Sequence, residues 1–330
     1  MTAIWGGFIA FVVVVLALDL GVLNKRPHAP TIPGALAFAG ATTLLALLFA
    51  AFVYQAYAHH WAGLGLSADA VDQRVNDGHL ASMKFLTGYV VELSLSMDNV
   101  FVIALIFDSL RIPVVQQHRV LFWGVLGALV MRGAMIAGGA ALVAKYHWVL
   151  YLMGAFLVVT AARMLWAKER KQAPEESWIV HFLTRNFRVT KELHEGRFRV
   201  TRAGKNWITP LMVALVLIET TDLLFAVDSI PAIFAVTSDA FLVFTSNIFA
   251  ILCLRSLYFG LAGMLAKFRY LRVSLALILG LVGIKMLAAN WSGALFGDQA
   301  NFWMLGTVAV VLTAGAGASV LADRKNRASG

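Results

Sequence analysis

Two stretches of this 330-residue chain set carboxylates, hydroxyls and an amide among residues that are otherwise apolar. ELSLSMDNVF runs from Glu92 to Phe101 between MKFLTGYVV and VIALIF, and IETTDLLFAVDSIPAIF runs from Ile218 to Phe234. They contain five acids: Glu92, Asp98, Glu219, Asp222 and Asp228. At the centre of a membrane-spanning helix each acid costs about 2.5–3.5 kcal/mol, on the order of 12–17 kcal/mol together. A chain tolerates that cost when the groups are paired, protonated, hydrated or bound to a cation. Two bases, Arg132 and Arg255, fall at mid-depth in neighbouring apolar runs and are expected to balance two of the acids. The remainder points to an ion pathway, the default reading of intramembrane ionisable residues. The competing reading is a salt-bridge network that locks a helix bundle.

The available ligands are hard: carboxylates, the hydroxyls of Ser94, Ser96 and Ser229, the Asn99 amide, and the Val227 carbonyl. That carbonyl loses its helical donor because Pro231 stands four residues later. Oxygen-rich sites suit Mg²⁺, Ca²⁺ or Mn²⁺. Met97 is the single soft candidate, and no His or Cys stands near either stretch. Residues alone leave "divalent cation, or protons alone". Glu92 and Asp98, six apart, face about 120° apart with about 9 Å of rise, so a straight helix does not aim both at one ion. Glu219 and Asp222, three apart, share a face. Both stretches are therefore expected to be broken or bent near Asp98 and Asp228.

The elements that must position these groups are membrane helices. The chain is 60% hydrophobic and 14% charged, against about 25% charged for a soluble domain. Apolar runs long enough to span fall near 4–23, 34–57, 83–107, 119–143, 147–167, 207–236, 240–264, 270–289 and 300–321. The expected fold is thus an all-α polytopic membrane protein of about nine transmembrane helices, residues 1–330 forming one transmembrane unit. The first run is followed by NKRPH with no small-residue cleavage pattern and reads as a retained helix.

Basic residues set the orientation. Lys25, Arg26, Arg111, Arg119, the ten Lys/Arg of 168–205, Lys267, Arg269, Arg272, Arg324, Lys325 and Arg327 fall on one side, against Arg74, Lys84 and Lys145 on the other. That bias puts the N-terminus outside and the C-terminus in the cytoplasm. It also accounts for the net charge of +9 without nucleic acid. Residues 168–206 form a cytoplasmic connector, open to protein partners or lipid headgroups. Cys253 is the single cysteine, which rules out a disulfide within the chain and a Cys-based metal site.

The two acidic stretches are also copies. Matching Asp98 to Asp228 sets Glu92 on Asp222, and the following spans carry Arg132 and Arg255 in LVMRGAM and LCLRSLY. The third spans share LVVTAARML and LGLVGIKML. Residues 83–167 and 207–289 thus read as a 3+3 repeat. Its odd span number inverts the second copy, an architecture of secondary transporters with sites at the repeat interface.

With LALDLGVLNKR around Asp19, the pair ELSLSMDNVFVIA and ETTDLLFAVDSIPAIFA resembles the TerC/Alx family of bacterial membrane proteins, over most of the chain. That family is associated with tellurite resistance and manganese export and is similar to the LysE exporters. The resemblance implies a Mn²⁺ exporter of the inner membrane, with protons as the counter-ion and no permanently bound cofactor. The metal path it implies includes Glu92, Asp98, Asn99, Glu219, Asp222 and Asp228, with Ser229 matching and Asp19 accessory. A membrane scaffold working beside secretion machinery is the rival expectation. An enzyme is not expected, because no GxGD-type element surrounds either aspartate.

Overall fold

A computed structural model of the chain describes residues 2–18, 32–166, 178–190, 192–194, 196–202, 204–261, 271–288 and 300–328. Ten helices dominate it: α1 (Thr2–Leu18), α2 (Ile32–Ala58), α3 (Gly78–Ser109), α4 (Val114–Lys145), α5 (Trp148–Trp166), α6 (Trp178–Asn186), α7 (Pro210–Phe234), α8 (Ala240–Leu261), α9 (Leu271–Leu287) and α10 (Ala300–Ala328). A two-stranded antiparallel hairpin, β1 (Arg199–Arg202) and β2 (Lys205–Ile208), lies between α6 and α7. Among the described residues seven helices are long and apolar enough to cross a membrane, and α1 and α9 fall just short of that length. Each of the nine apolar runs therefore carries a helix. Helices α3 and α4 begin about a turn earlier than hydropathy suggests, because polar Asp77 and Pro113 supply their N-terminal boundaries.

The expected breaks near Asp98 and Asp228 are absent: α3 and α7 run unbroken through both. In α3 the Ser94 hydroxyl folds back onto the Val90 carbonyl at 2.5 Å, so it decorates the helix rather than opening it. In α7 the proline falls in the last turn, three residues before Phe234 ends the helix, where few backbone bonds remain to be lost.

The triplets α3–α4–α5 and α7–α8–α9 pack across each other rather than within themselves. Helix α3 lies on α8 as α4 lies on α7, α5 touches α7 as α9 touches α3, and α5 runs along α9. Exchanging the triplets reproduces this pattern, as two related units would. At the α5–α9 crossing, a Cβ on Gly283 would stand 2.8 Å from the Gly154 carbonyl oxygen, so the two backbones nearly touch. Asp69, just before α3, bonds Thr237 and Ser238, just after α7. The start of α3 and the end of α7 therefore share one end of the bundle, and the two helices run antiparallel. At the opposite end, α6 touches α7, and its Ile179 and Leu183 share one buried cluster with Phe107, Ile112 and Leu211, where α3 ends and α7 begins.

The loop before α3 is anchored by Asp69. Its carboxylate pairs with Lys84 at 2.8 Å and accepts from the Ser238 hydroxyl at 2.7 Å, the Ser238 amide at 2.9 Å and the Thr237 hydroxyl. Lys84 is wholly buried in α3, not a loop charge, and also reaches Asp72 and Asn76. Beside this latch a cavity of about 460 Å³ is lined by Asp69, Gln73, Asn76, His147, Ser238 and Asp239. Burial alone would push the Asp69 carboxyl up. The Lys84 ammonium, aided by the Thr237 hydroxyl and the Val71 amide, outweighs it and holds the group at about 2. A carboxyl held below its ordinary value contributes stability above about pH 4, and loses it as pH falls towards 2. Asp69→Asn should cost on the order of 2 kcal/mol at neutral pH and flatten the acid limb of a Tm-against-pH profile.

Candidate functional site

The centre of the bundle is a guanidinium shared by two acids. Arg132, from α4, is 1% exposed. Its Nη1 pairs with Glu92 Oε1 of α3, its Nε donates to Asp222 Oδ2 of α7 at 3.0 Å, and its Nη2 donates to Asp222 Oδ1 at 2.9 Å. The Asp222 contact is the two-pronged fork that a planar guanidinium makes with a carboxylate. The Asn99 amide donates to Asp222 Oδ1 at 3.1 Å, and the Ser229 hydroxyl to Glu92 Oε1 at 3.4 Å.

Helical period explains which residues arrive. Glu92, Ser96 and Asn99 follow i, i+4, i+7 on α3, and Asp222 and Ser229 follow i, i+7 on α7. With the two stretches matched in sequence, Glu92 corresponds to Asp222 and Asn99 to Ser229. Exchanging the halves turns the Asn99–Asp222 bond into the Ser229–Glu92 bond, so the two contacts are images of each other. Arg132 serves both acids from the α4 side. Its counterpart Arg255 lies in α8, its side chain outside the described ones, and Asp19 lies outside the described residues.

Glu219 stands one turn before Asp222, near enough to feel its charge. Its carboxylate presses on α4 at Gly127, where a Cβ would lie only 2.0 Å from Glu219 Oε1. Gly127 and Arg132 are about 7 Å apart along α4, so Glu219 sits beside the shared guanidinium, not on it. Among the described residues Glu219 makes no ion pair. Asp228 faces another way, accepting from Thr160 of α5 at 3.3 Å with the Arg163 charge in range. Asp98 is half-buried on α3, about 120° around the helix from Glu92. Ser94 serves its own backbone and Val227 turns its side chain outward, 43% exposed. Gly127, Thr160 and Lys84 were not foreseen. A glycine facing Glu219 is visible only once α4 and α7 are paired.

Four buried oxygens around this centre have no hydrogen-bond partner among the described residues: Glu92 Oε2, Ser96 Oγ, Asn99 Oδ1 and Glu219 Oε2. A cavity of about 20 Å³, room for one water-sized occupant, is lined by Ser96, Asn99, Arg132, Thr221 and Asp222 together with apolar residues. Among the described residues no three acidic, His or Cys side chains converge on a single point. The acids of α7, at 219, 222 and 228, instead form a staggered ladder about 13 Å from end to end, with Glu219 and Asp228 on opposite faces of the helix.

A family model described as "Integral membrane protein TerC family" matches residues 78–327, which contain every group of this ladder. The chain belongs to the TerC family. It is similar to the "Uncharacterized membrane protein STKORF319" of Myxococcus xanthus, 44% identical over 283 residues, covering 86% of this chain and 82% of the relative. It is also similar to proteins named "Putative membrane-bound redox modulator Alx". That of Photorhabdus laumondii is 41% identical over 94% of this chain and 92% of its own, and that of Escherichia coli K12 is 42% identical over 87% and 86%. No solved structure matches. In this TerC-family chain the family model spans both triplets and the shared guanidinium between them.

Removing one partner of a buried ion pair leaves an uncompensated charge, at about 3–5 kcal/mol. Arg132→Gln should therefore sharply lower the unfolding temperature in detergent. Arg163→Gln should change it little, since Asp228 is half-exposed.

Proposed function

We propose that this protein is a secondary transporter exporting a divalent cation, Mn²⁺ foremost, in exchange for protons. The observation that carries the reading is a charge surplus in an oxygen-lined centre. Among the described side chains, Glu92, Asp222 and Glu219 against Arg132 leave two negative charges when all are ionised, beside four oxygens without a described partner. One divalent ion, or two protons, neutralises that surplus, so the two cargoes substitute for each other. Hard oxygen donors favour Mn²⁺, Ca²⁺ or Mg²⁺ over softer metals. In this reading the triplets rock about the α3–α7 contact, Arg132 exchanges one acid for the other, and Glu219 receives the ion beside the shared pair. The basic bias of the connector supports a cytoplasmic connector at a bacterial inner membrane, with the N-terminus and the Asp69 latch outside. Moving an uncompensated divalent ion out against 100 mV costs about 4.6 kcal/mol, a cost that exchange for two protons removes.

The relatives' name speaks of redox modulation. Here Cys253 is the single thiol and is buried within reach of Thr42, Thr43 and Tyr89, so thiol exchange within the chain has no second member. Control of a redox-active metal would modulate redox state without one. A second reading, a membrane scaffold with structural acids, is favoured by the tight seating of Arg132 between Glu92 and Asp222.

Purified protein in vesicles should move Mn²⁺ down an imposed pH gradient, and Glu219→Gln should abolish that flux while melting like wild type. A scaffold would give no flux in either protein. Undiminished flux in Glu219→Gln would remove this carboxylate from the path.

A further inference from the structure

The connector between the triplets carries a surface that the transport reading does not use. Helix α6 seats Ile179 and Leu183 among Ile106, Phe107, Ile112 and Leu211, at the rim where α3 ends and α7 begins. Both of those helices have the length and composition of membrane spans, so α6 is held at the depth where a bilayer meets water. On the adjacent face Trp178 is 72% exposed and Phe182 53% exposed, one turn apart, and Phe187 just beyond the helix is 51% exposed. A helix that rests one side on protein and leaves aromatic side chains open on the next has the pattern of an interfacial segment. Tryptophan and phenylalanine anchor such segments because their rings tolerate the headgroup boundary.

Charge completes the pattern. Arg185, Arg188, Arg197, Arg199, Arg202 and Lys205 are all exposed in the helix, the turn after it and the hairpin. The described acid of the segment, Glu192, is largely exposed and meets Arg202 at 3.3 Å. The hairpin is braced on the bundle: the Arg119 guanidinium of α4 lies 5.4 Å from the centre of the Phe198 ring, and the Thr209 hydroxyl bonds the Arg197 carbonyl at 2.7 Å. The cations therefore sit on a rigid element beside the aromatic face rather than on a free tail.

We propose that α6 and the β-hairpin form a membrane-surface foot that binds anionic phospholipid in the leaflet they face, with Trp178, Phe182 and Phe187 at the acyl boundary and the arginines on the phosphates. A protein partner would be a poor match, since the aromatic side chains border the ends of membrane spans, where lipid already stands. Basic residues near an anionic leaflet each add attraction that salt screens. The foot thus couples the lipid composition of that leaflet to the linker joining the two triplets.

The test uses full-length protein in nanodiscs of phosphatidylcholine alone or with one third phosphatidylglycerol. The anionic lipid should raise Tm, and high salt should reverse the rise. Arg185→Gln/Arg188→Gln/Arg199→Gln/Arg202→Gln should lose the rise while keeping the wild-type Tm in phosphatidylcholine. Separately, an environment-sensitive dye placed by Phe182→Cys in a Cys253→Ser background should report an apolar setting and be quenched by spin-labelled lipid. The same dye at Asn206 should report water. A wild-type Tm indifferent to anionic lipid, a rise that survives in the quadruple variant, or a dye at 182 that reports water would each overturn the proposal. The last result is what a protein-docking surface would give.

Discussion

A charge inside lipid must find its opposite, and in this protein the two halves of the chain find it in the same side chain. Arg132 of α4 holds Glu92 of the first triplet, on α3, and Asp222 of the second, on α7. Neither acid is tolerable there alone. The antiparallel run of α3 and α7, the crosswise seating of α4 on α7, and the polar stripes facing inward all follow from meeting that requirement at one point. Hydrophobic packing supplies the bulk of the cohesion, but lipid-facing and protein-facing apolar surfaces compete on nearly equal terms in a membrane, so polar contacts specify the arrangement.

The same economy leaves the centre incompletely neutralised. Glu219 adds a third carboxylate without a base among the described residues, pressed against the bare backbone of Gly127. A larger residue at 127 would hold that carboxylate away from α4. Its place beside the shared guanidinium gives a cation or a proton somewhere to arrive before it meets the locked pair. In the proposed transport reading, stability and ion movement draw on the same groups, and the locked pair is the state from which a cycle departs.

Much of this was legible in the sequence because it rests on period and composition. Each of the nine apolar runs carries a helix, seven of them long and apolar enough to span among the described residues, while the meeting of Glu92 and Asp222 on Arg132 appeared only in the fold. The stripe Glu92–Ser96–Asn99 was also readable from a 3.6-residue period. The aspartate six residues on drew attention away from it, although the helix turns Asp98 about 120° off that face. The expected breaks failed for a local reason: a proline in the last turn and the Ser94 hydroxyl bonded to its own helix do not open a backbone. The Asp69 latch was illegible because its partners Thr237 and Ser238 lie 168 or more residues away, and nothing in the loop composition marks one aspartate as buried. Lys84 looked like a loop charge for the same reason.

The proposed exchange rests on two surplus negative charges among the described groups, which one Mn²⁺ or two protons would neutralise. The most direct measurement is the charge carried per transport cycle, read as the voltage dependence of Mn²⁺ flux in vesicles clamped with potassium and valinomycin at fixed pH gradient. Two-for-one exchange predicts flux indifferent to membrane potential, reversing when the Mn²⁺ ratio equals the square of the proton ratio. Flux that follows voltage and ignores the pH gradient would contradict it.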